Sequence, residues 1–282
     1  MSSMQPLNIG FDLDGVLIRN PFETCVIPRL QVLLAGLPGV RGKGEEVVAK
    51  TVRERIVRGW RARMATGDLA AAYDWDAIYH EVAGDLGADR ACLDDIDVAA
   101  WVRDCCDQSG HIEALPGAAD LLARLDAAGH RLVVISNGYA AYQRPVLAAL
   151  GLLGRFADVV TPDRVGYAKP DSRIFAAAAP LDVFVGDTLV HDVLGAKRAG
   201  LATVWVAPVL PAELARLEPL ERAAHPRLAG VIRDYLSVSP HSRYHPEADE
   251  RSCLPNAVVK DMRETTELLL GWRLAPHGAA GR

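Results

Sequence analysis

The sequence of 282 residues is long enough for one large domain or for a domain with a smaller insert, and half of its residues are hydrophobic, which suffices for a sizeable core. A net charge of −5 and the absence of a basic block argue against nucleic acid as a partner. No apolar run approaches the roughly 20 residues of a membrane span, and the first predicted strand begins within about six residues, too early for a signal peptide, so we expect a cytoplasmic protein with no membrane partner.

A short apolar run that begins at Asn8 ends in two carboxylates. Asp12 and Asp14 are one residue apart, and residues i and i+2 of a strand point to the same side, so both are expected to face one pocket. Gly15 then allows the backbone to turn away. Two carboxylates this close repel each other, and a bound cation would relieve the repulsion. Taken alone, the stretch also fits a polar strand end with an ordinary turn.

No strong strand is predicted from residue 18 to residue 111. Helical spacing of apolar residues predicts helices over residues 22–34, about 74–86 and about 96–106, and a further helix face is formed by residues that recur every four positions: Val48, Val52, Ile56, Trp60 and Met64. The other side of that helix carries five arginines: Arg53, Arg55, Arg58, Arg61 and Arg63. They are either a solvated face or, for one or two of them, contacts to an anionic substrate. The segment is predicted to be a helical insert.

Strands and helices alternate after residue 112. Strands are predicted over residues 131–135, 156–160, 182–185 and 203–206, with helices of about ten residues between them. This alternation predicts an α/β fold, a Rossmann-like parallel sheet with helices on both faces. Ligands of such sheets bind beyond the carboxyl ends of the strands, where the distinctive polar residues of this sequence lie: Asp12, Asp14, Ser136 and Asp187.

The last segment, residues 211–282, is predicted to be a helical extension. Helices are expected over 212–220, 226–236 and 257–272, with a polar stretch over 237–255. An apolar stripe on the final helix is expected to pack on the body or on a second subunit, which leaves a homodimer through this extension or through the insert open.

The cysteine and histidine patterns point to no special chemistry. The five cysteines are odd in number, irregularly spaced and without a CxxC pair, which argues against structural disulfides and fits a reducing cytosol. His241, His245 and Cys253 have a spacing that fits no common metal site.

Four groups of polar residues, taken together, predict a phosphate site. They are the pair Asp12 and Asp14, Ser136 with the amides that follow it from Asn137, Lys169 on a loop beside a proline, and Asp187 with Asp192. A divalent cation suits oxygen ligands from Asp12, Asp187 and a backbone carbonyl. Lys169 and Ser136 would orient phosphoryl oxygens. Asp12 would attack phosphorus, and Asp14 would transfer the proton.

These motifs resemble those of the haloacid dehalogenase superfamily, and within it the phosphatase branch. Residues 11–17 (FDLDGVL) are similar to the first motif, 135–138 (ISNG) to the second, Lys169-Pro170 to the third, and Gly186-Asp187 with Asp192 to the fourth. The insert is similar to the helical cap of the first type found in phosphoglycolate phosphatases. The resemblance implies a catalytic core over 1–17 and 112–210 and a cap over 18–111, and it does not cover the extension over 211–282.

The resemblance also implies a role for each motif residue. Asp12 would be the nucleophile and Asp14 the general acid and base. Mg²⁺ would be held by Asp12, the Asp14 carbonyl and Asp187. Asp192 would support the metal site or Lys169 from behind. The expected function is Mg²⁺-dependent hydrolysis of a small soluble phosphorylated metabolite through an aspartyl-phosphate.

Other reactions of the superfamily remain to be weighed. Dehalogenases and phosphonoacetaldehyde hydrolases lack the second aspartate, so Asp14 argues against both. A phosphomutase has the same core motifs and stays open. A catalytically silent binding protein is a different class, which the four intact motifs argue against.

Overall fold

A parallel six-stranded sheet lies at the centre of the structure, a computed structural model that describes residues 5–272. In this range the strands are β1 (Asn8–Phe11), β2 (Ile18–Arg19), β3 (Glu113–Ala114), β4 (Arg131–Ile135), β5 (Asp158–Val160), β6 (Val183–Gly186), β7 (Ala202–Val206) and β8 (Ala257–Val259). The sheet has the order β5-β4-β1-β6-β7-β8, and every neighbouring pair is parallel. The predicted Rossmann-like α/β fold is confirmed.

Helices cover the sheet and fill the segment between β2 and β3. Within the described range the α-helices are α1 (Ile27–Leu34), α2 (Glu45–Thr66), α3 (Trp75–Asp85), α4 (Arg90–Asp94), α5 (Val98–Cys106), α6 (Ala118–Ala127), α7 (Ala140–Ala149), α8 (Pro162–Val165), α9 (Ser172–Ala177), α10 (Gly195–Arg198), α11 (Ala212–Ala215), α12 (Pro219–Ala224), α13 (Arg227–Val238) and α14 (Met262–Leu270). Short π-helical turns lie at Phe22–Val26 and Leu189–Leu194, and 3₁₀ turns at Ala71–Tyr73, Leu153–Arg155 and Ser242–Tyr244.

The sheet is buried on both faces because its strands are apolar at almost every position. In β4, Leu132 and Val134 join the core beneath α6 and α7, whereas Val133 and Ile135 join a separate core beneath α9 and α10. Successive residues of a strand point to opposite faces, so a run of β-branched residues fills both cores. The carboxyl ends of β1, β4 and β6 are thereby fixed side by side.

The helical segment between β2 and β3 leaves and re-enters the sheet domain at one place. Ile18 pairs with Ala114 and Arg19 with Glu113 in a short antiparallel ladder that joins the two crossings. Residues 20–112 contain no strand, but the two-residue strand β2 lies inside the range 18–111 for which no strong strand was predicted, and the short helix α4 was not expected.

A disulfide contradicts the prediction that the cysteines are unpaired. Cys25 and Cys105 are bonded, with their Cα atoms 6.2 Å apart, so the first helical turn of the insert is joined to α5. The two positions are 80 residues apart in sequence and meet only because the two helices pack together. Cys92, Cys106 and Cys253 are free.

The segment after β7 is not all helical. The helix predicted over 257–272 begins only at Met262, where Asp261 caps it by accepting a hydrogen bond from the Glu264 amide at 2.8 Å. The preceding residues, Ala257–Val259, form the sixth strand of the sheet. Helix α14 then packs on α6, so its apolar stripe faces the body of this chain. Residues 273–282 of the predicted extension lie outside the described residues.

A buried arginine joins the parts of this extension. Arg222 on α12 is 2% exposed and donates hydrogen bonds to the carbonyls of Leu214 and Val258 and to the carboxylate of Glu264. Each of the three guanidinium nitrogens therefore donates a hydrogen bond, which offsets the cost of burying the charged group. No helix among residues 5–272 is both long enough and apolar enough to cross a membrane.

Candidate active site

Three neighbouring strands deliver polar side chains to one edge of the sheet. Asp12 follows β1, Ser136 follows β4 and Asp187 follows β6, and β1 lies between the other two. The chain reverses direction across the sheet at β1, and such a switch point opens a crevice at the carboxyl ends. Gly15 lies in this crevice with φ of +81°, and a Cβ there would come within 2.6 Å of an Asp187 carboxylate oxygen. Only glycine meets both conditions.

Lys169 is the buried cation of the site. Its Nζ lies 2.6 Å from Asp12 Oδ1 and 2.7 Å from Asp192 Oδ1, and the residue is 2% exposed. Asn137 holds the lysine backbone from both directions, donating to the Lys169 carbonyl at 3.1 Å and accepting from its amide at 2.7 Å. The second motif and the third motif are thus joined by hydrogen bonds, and Asn137 acts through its side chain as well as by its position after β4.

Asp14 is oriented by two side chains that no sequence motif indicated. Asn20 donates to Asp14 Oδ1 at 2.6 Å, and Gln143 donates to Asp14 Oδ2 at 3.0 Å. Gln143 also donates to Ser136 Oγ at 3.2 Å, which in turn accepts from the amide of Gly138 at 3.1 Å. Gln143 belongs to α7, the helix that follows Ser136, so its position on the inner face of that helix was the only available signal.

Among the described residues, one group of acidic side chains has the geometry of a cation site. Carboxylate oxygens of Asp12, Asp187 and Asp192 lie within 4.8 Å of one another. Both oxygens of Asp192 are already engaged, one by Lys169 and the other by the amide and hydroxyl of Thr188 at 2.8 and 2.6 Å. Asp187 Oδ1, in contrast, is buried and meets no hydrogen-bond donor in the described part of the chain.

The charges of this group do not balance within the protein. Three carboxylates face one ammonium group, and an uncompensated buried charge is costly. Hard oxygen ligands together with a free carboxylate oxygen on Asp187 fit a divalent cation such as Mg²⁺. The carboxylate of Asp14 is not part of the group, which is compatible with a contribution from its main-chain carbonyl.

Burial shifts the ionisation of these groups. Burial, opposed by Lys169 and reinforced by Asp192, raises the pKa of Asp12 from 3.8 to about 7. Burial, together with the charges of Asp12 and Asp192, raises the pKa of Asp187 to about 8. Burial also raises the pKa of Asp14, against the hydrogen bonds from Gln143 and Asn20. Burial opposes the charge of Lys169, but Asp12 and Asp192 outweigh it and raise its pKa.

A cavity of about 590 Å³ adjoins this group, and we call it the chamber. Its lining includes Asp12, Asp14, Ser136, Asn137, Lys169 and Asp187 from the sheet domain. The helical insert contributes Phe22, Ile56, Trp60, Tyr73, Trp75 and Tyr79. The chamber therefore lies between the carboxyl ends of the strands and the insert, and it brings all the predicted motif residues except Asp192 to one surface.

Of the five arginines predicted to cover helix α2, Arg53 alone lines the chamber. Its guanidinium lies 2.7 Å from the carboxylate of Glu23, another lining residue. Arg55 and Arg58 pair with Asp85 and Arg63 pairs with Glu81, so these three serve the packing of the insert. Contact between an arginine of this helix and the substrate stays a prediction, and Arg53 is the remaining candidate.

The extension reaches the chamber through a histidine. His241, in the polar stretch that was predicted only as a loop or linker, lines the chamber beside His191. The two rings are 4.1 Å apart between centroids, and His245 packs 6.4 Å from His191. Burial lowers the pKa of all three, that of His241 to about 4, so the imidazoles are neutral at neutral pH. Among the described residues, none of the three belongs to the group of side chains that could hold a cation.

The fold and the site together define a class: a parallel α/β protein with a carboxylate cluster at the switch point of its sheet. Residues 8–200 match the family described as haloacid dehalogenase-like hydrolase. The chain therefore belongs to the haloacid dehalogenase-like hydrolase family. The family resemblance inferred from the four motifs is confirmed, and so is the enzyme class, a hydrolase.

Two named relatives and one solved structure are similar to this chain. The phosphoglycolate phosphatase of Caulobacter vibrioides is 30% identical over 219 residues, which cover 73% of this chain and 83% of that protein. The glyceraldehyde 3-phosphate phosphatase of Methanothermobacter thermautotrophicus is 37% identical over 102 residues, 34% of this chain, and the match spans less than half of the relative, 45%. A phosphatase structure from Thermococcus onnurineus covers 95% of this chain at a TM-score of 0.63 and 19% identity, which supports the fold alone.

Proposed function

We propose that this protein is a Mg²⁺-dependent phosphomonoester hydrolase that acts on a small phosphorylated metabolite through an aspartyl-phosphate. The observation that carries the proposal is the state of Asp12 at the edge of the chamber. Its Oδ1 accepts a hydrogen bond from Lys169 Nζ at 2.6 Å, and the residue lines the chamber. A carboxylate that is held through one oxygen and faces a cavity is suited to attack a phosphorus atom with the other.

The first half-reaction transfers the phosphoryl group to the protein. Asp12 Oδ2 forms a bond to phosphorus while the bond from phosphorus to the alcohol oxygen breaks. Asp14 gives its proton to that oxygen, and the raised pKa of its buried carboxyl group favours the protonated form that this step needs. Lys169, the Ser136 hydroxyl and the amides that follow it line the chamber and would receive the negative phosphoryl oxygens.

The second half-reaction regenerates the enzyme. Asp14, now a carboxylate, takes a proton from a water molecule as the water oxygen bonds to phosphorus. The bond from phosphorus to Asp12 breaks, and inorganic phosphate leaves. Gln143 and Asn20 hold the Asp14 carboxylate in one orientation through both steps, which supports the reuse of a single group as acid and then base.

Asp12, Asp187 and the main-chain carbonyl of Asp14 would hold the Mg²⁺, which supplies positive charge beside the phosphoryl oxygens. Asp192 supports the site from behind by fixing Lys169 and the Thr188 loop. Residues 18–111 would serve as a cap over residues 1–17 and 112–210. Because the β2–β3 ladder ties the two crossings together, the cap would pivot as a unit and exclude water when it closes.

Phosphate release from a panel of phosphomonoesters tests the proposal. The panel contains sugar phosphates, nucleotides and phosphoglycolate, and each is assayed with Mg²⁺ and with EDTA. We expect release with Mg²⁺, none with EDTA, and recovery when Mg²⁺ is restored. Full activity in the chelator would rule out the metal. Isomerised substrate without release would favour the phosphomutase alternative, and silence with every ester and divalent metal would favour a binding protein.

A further inference from the structure

The wall that the helical insert gives to the chamber is aromatic. Phe, Trp and Tyr make up only 6% of the sequence, yet five of them line this one cavity: Phe22, Trp60, Tyr73, Trp75 and Tyr79. Phe22 packs against Trp75 at 5.8 Å between centroids, and Trp75 against Tyr79 at 6.2 Å. Ile27, Ile56 and Val57 complete the apolar side. Phe22, Trp60 and Trp75 are only partly buried, so part of their ring surface is open to the cavity.

The same wall offers no free charge to a substrate. Outside the phosphate site, the charged residues that line the chamber within the described range are Arg53 and Glu23, and they neutralise each other at 2.7 Å. A second anionic group on the substrate, such as the carboxylate of a short hydroxy acid, would have to displace Glu23 from Arg53. An uncharged alcohol part needs no such exchange.

His241 closes the chamber from the side of the extension. Its ring meets the ring of Trp60 edge-on at 5.4 Å, so the cap and the extension touch across the cavity. Nδ1 of His241 and Nε2 of His191 are buried and have no hydrogen-bond partner in the described chain, and His191 is only 5% exposed. The hydroxyl of Tyr79 is unpartnered in the same way. Buried polar atoms are normally paired, so these mark places for polar atoms of a ligand.

The size of the chamber fits a ligand that contains a ring. Its volume of about 590 Å³ lies in the range typical of sites that enclose a ligand with one or more rings. A phosphoryl group with a two-carbon alcohol would leave most of that volume to water against apolar side chains.

We propose that the substrate is a phosphomonoester whose alcohol part carries a planar aromatic ring with a polar edge, and that His241 and Trp60 are specificity-determining residues for that ring. This inference rests on the proposed function and narrows it to one class of substrate. The ring lies against the aromatic wall, and its edge atoms meet His191, His241 or Tyr79. The extension therefore contributes to substrate selection together with the cap.

The test compares four phosphate esters of primary alcohols that differ in the distal group only: pyridylethyl, phenethyl, cyclohexylethyl and propyl phosphate. Because the leaving oxygens are alike, differences in kcat/KM report on the chamber. We expect the two aromatic esters to exceed the cyclohexyl ester by about 5-fold and the propyl ester by about 100-fold. The pyridyl ester, which has a polar edge, should be the best of the four.

Variants test whether His241 and Trp60 cause the preference for aromatic esters. His241→Ala and Trp60→Leu should each lower the ratio of kcat/KM for phenethyl over propyl phosphate by about 10-fold, whereas Trp60→Phe, which keeps a ring, should retain most of it. Val238→Ala is the matched control, since Val238 belongs to the same extension and is 81% exposed. Circular dichroism checks that each variant is folded, and His241→Asn replaces His241→Ala if the alanine variant is not.

Calorimetry with the matching phosphonates, which cannot be hydrolysed, separates this inference from the proposed function. Tighter binding of phenethyl than of propyl phosphonate, without turnover of any ester, would overturn the phosphatase and leave the aromatic chamber standing. Turnover with equal kcat/KM for all four esters would overturn the aromatic chamber and leave the phosphatase. A preference that survives both His241→Ala and Trp60→Leu would overturn the assignment of those residues.

Discussion

Replacing Asp187 with asparagine should make the metal-free protein more stable and the enzyme inactive. In the structure the Asp187 carboxylate faces those of Asp12 and Asp192, and one of its oxygens has no hydrogen-bond partner among residues 5–272. Asparagine has the same shape and no charge, so Asp187→Asn removes the repulsion while it also removes a ligand for the cation.

The size of the effect follows from the pKa of Asp187. Burial and the neighbouring charges raise it from 3.8 to about 8. Between these values the folded protein holds one proton that the unfolded chain has lost, so this group lowers the free energy of unfolding by about 1.4 kcal/mol for each unit of rising pH. The stabilisation is complete below pH about 4 and is lost by pH about 8, at most about 6 kcal/mol in all. Because Asp187 is only partly buried, we expect solvent screening to leave about 2 kcal/mol.

Urea unfolding followed by tryptophan fluorescence at pH about 8 measures this difference. In EDTA, Asp187→Asn should be more stable than the wild type by about 2 kcal/mol, and the gap should close as the pH falls towards about 4. Mg²⁺ should reverse the order, because ligand at 100 times its Kd stabilises the wild type by about 2.7 kcal/mol. Asp234→Asn is the control, because Asp234 is an exposed aspartate on helix α13 and is not part of the acidic group. A variant that is less stable than the wild type in EDTA at pH about 8 would refute the reasoning.

Two further predictions concern the proton donor and the disulfide. Asp14→Asn should slow phosphorylation by an alkyl phosphate about 10²–10⁴-fold but should barely affect p-nitrophenyl phosphate, whose leaving group needs little protonation; equal losses in rapid-quench assays would contradict the acid role. Cys25→Ser and Cys105→Ser should each lower the free energy of unfolding by up to about 4 kcal/mol, given a closed loop spanning 80 residues. Reduced wild type should match the serine variants in denaturant titrations, and an unchanged midpoint would show that the bond does not constrain the unfolded chain.

The motif residues were predictable because strand ends fix them. A short apolar strand followed by polar residues places Asp12, Ser136 and Asp187 at one edge of a parallel sheet. Lys169 lies on a loop, and it was assigned to the site because it forms a phosphate site together with the other polar groups, an assignment that the resemblance to a known family then supported. Its engagement with Asn137 depends on two loops 32 residues apart, which no local pattern encodes.

The features that were missed depend on packing between distant segments. Strand β8 was taken for helix because Val258 happens to continue the apolar spacing of α14, while the cap at Asp261 was the signal against it. The bond from Cys25 to Cys105 forms only where two helices meet. His241 reaches the chamber because its ring packs edge-on against Trp60 of the helical insert, and its polar sequence neighbourhood gave no sign of this contact. The predicted homodimer and the cytoplasmic location stay predictions.

Trapping the covalent intermediate tests the central claim most directly. Asp14→Asn is mixed with phosphate-labelled p-nitrophenyl phosphate and Mg²⁺ and quenched in acid, and the labelled peptide is identified by mass spectrometry. With this leaving group the variant should form the aspartyl-phosphate readily and hydrolyse it slowly. We predict label on Asp12 alone, approaching one per enzyme, and none when Asp12→Asn is added to the same protein. Turnover without label, or label on any residue other than Asp12, would contradict the account.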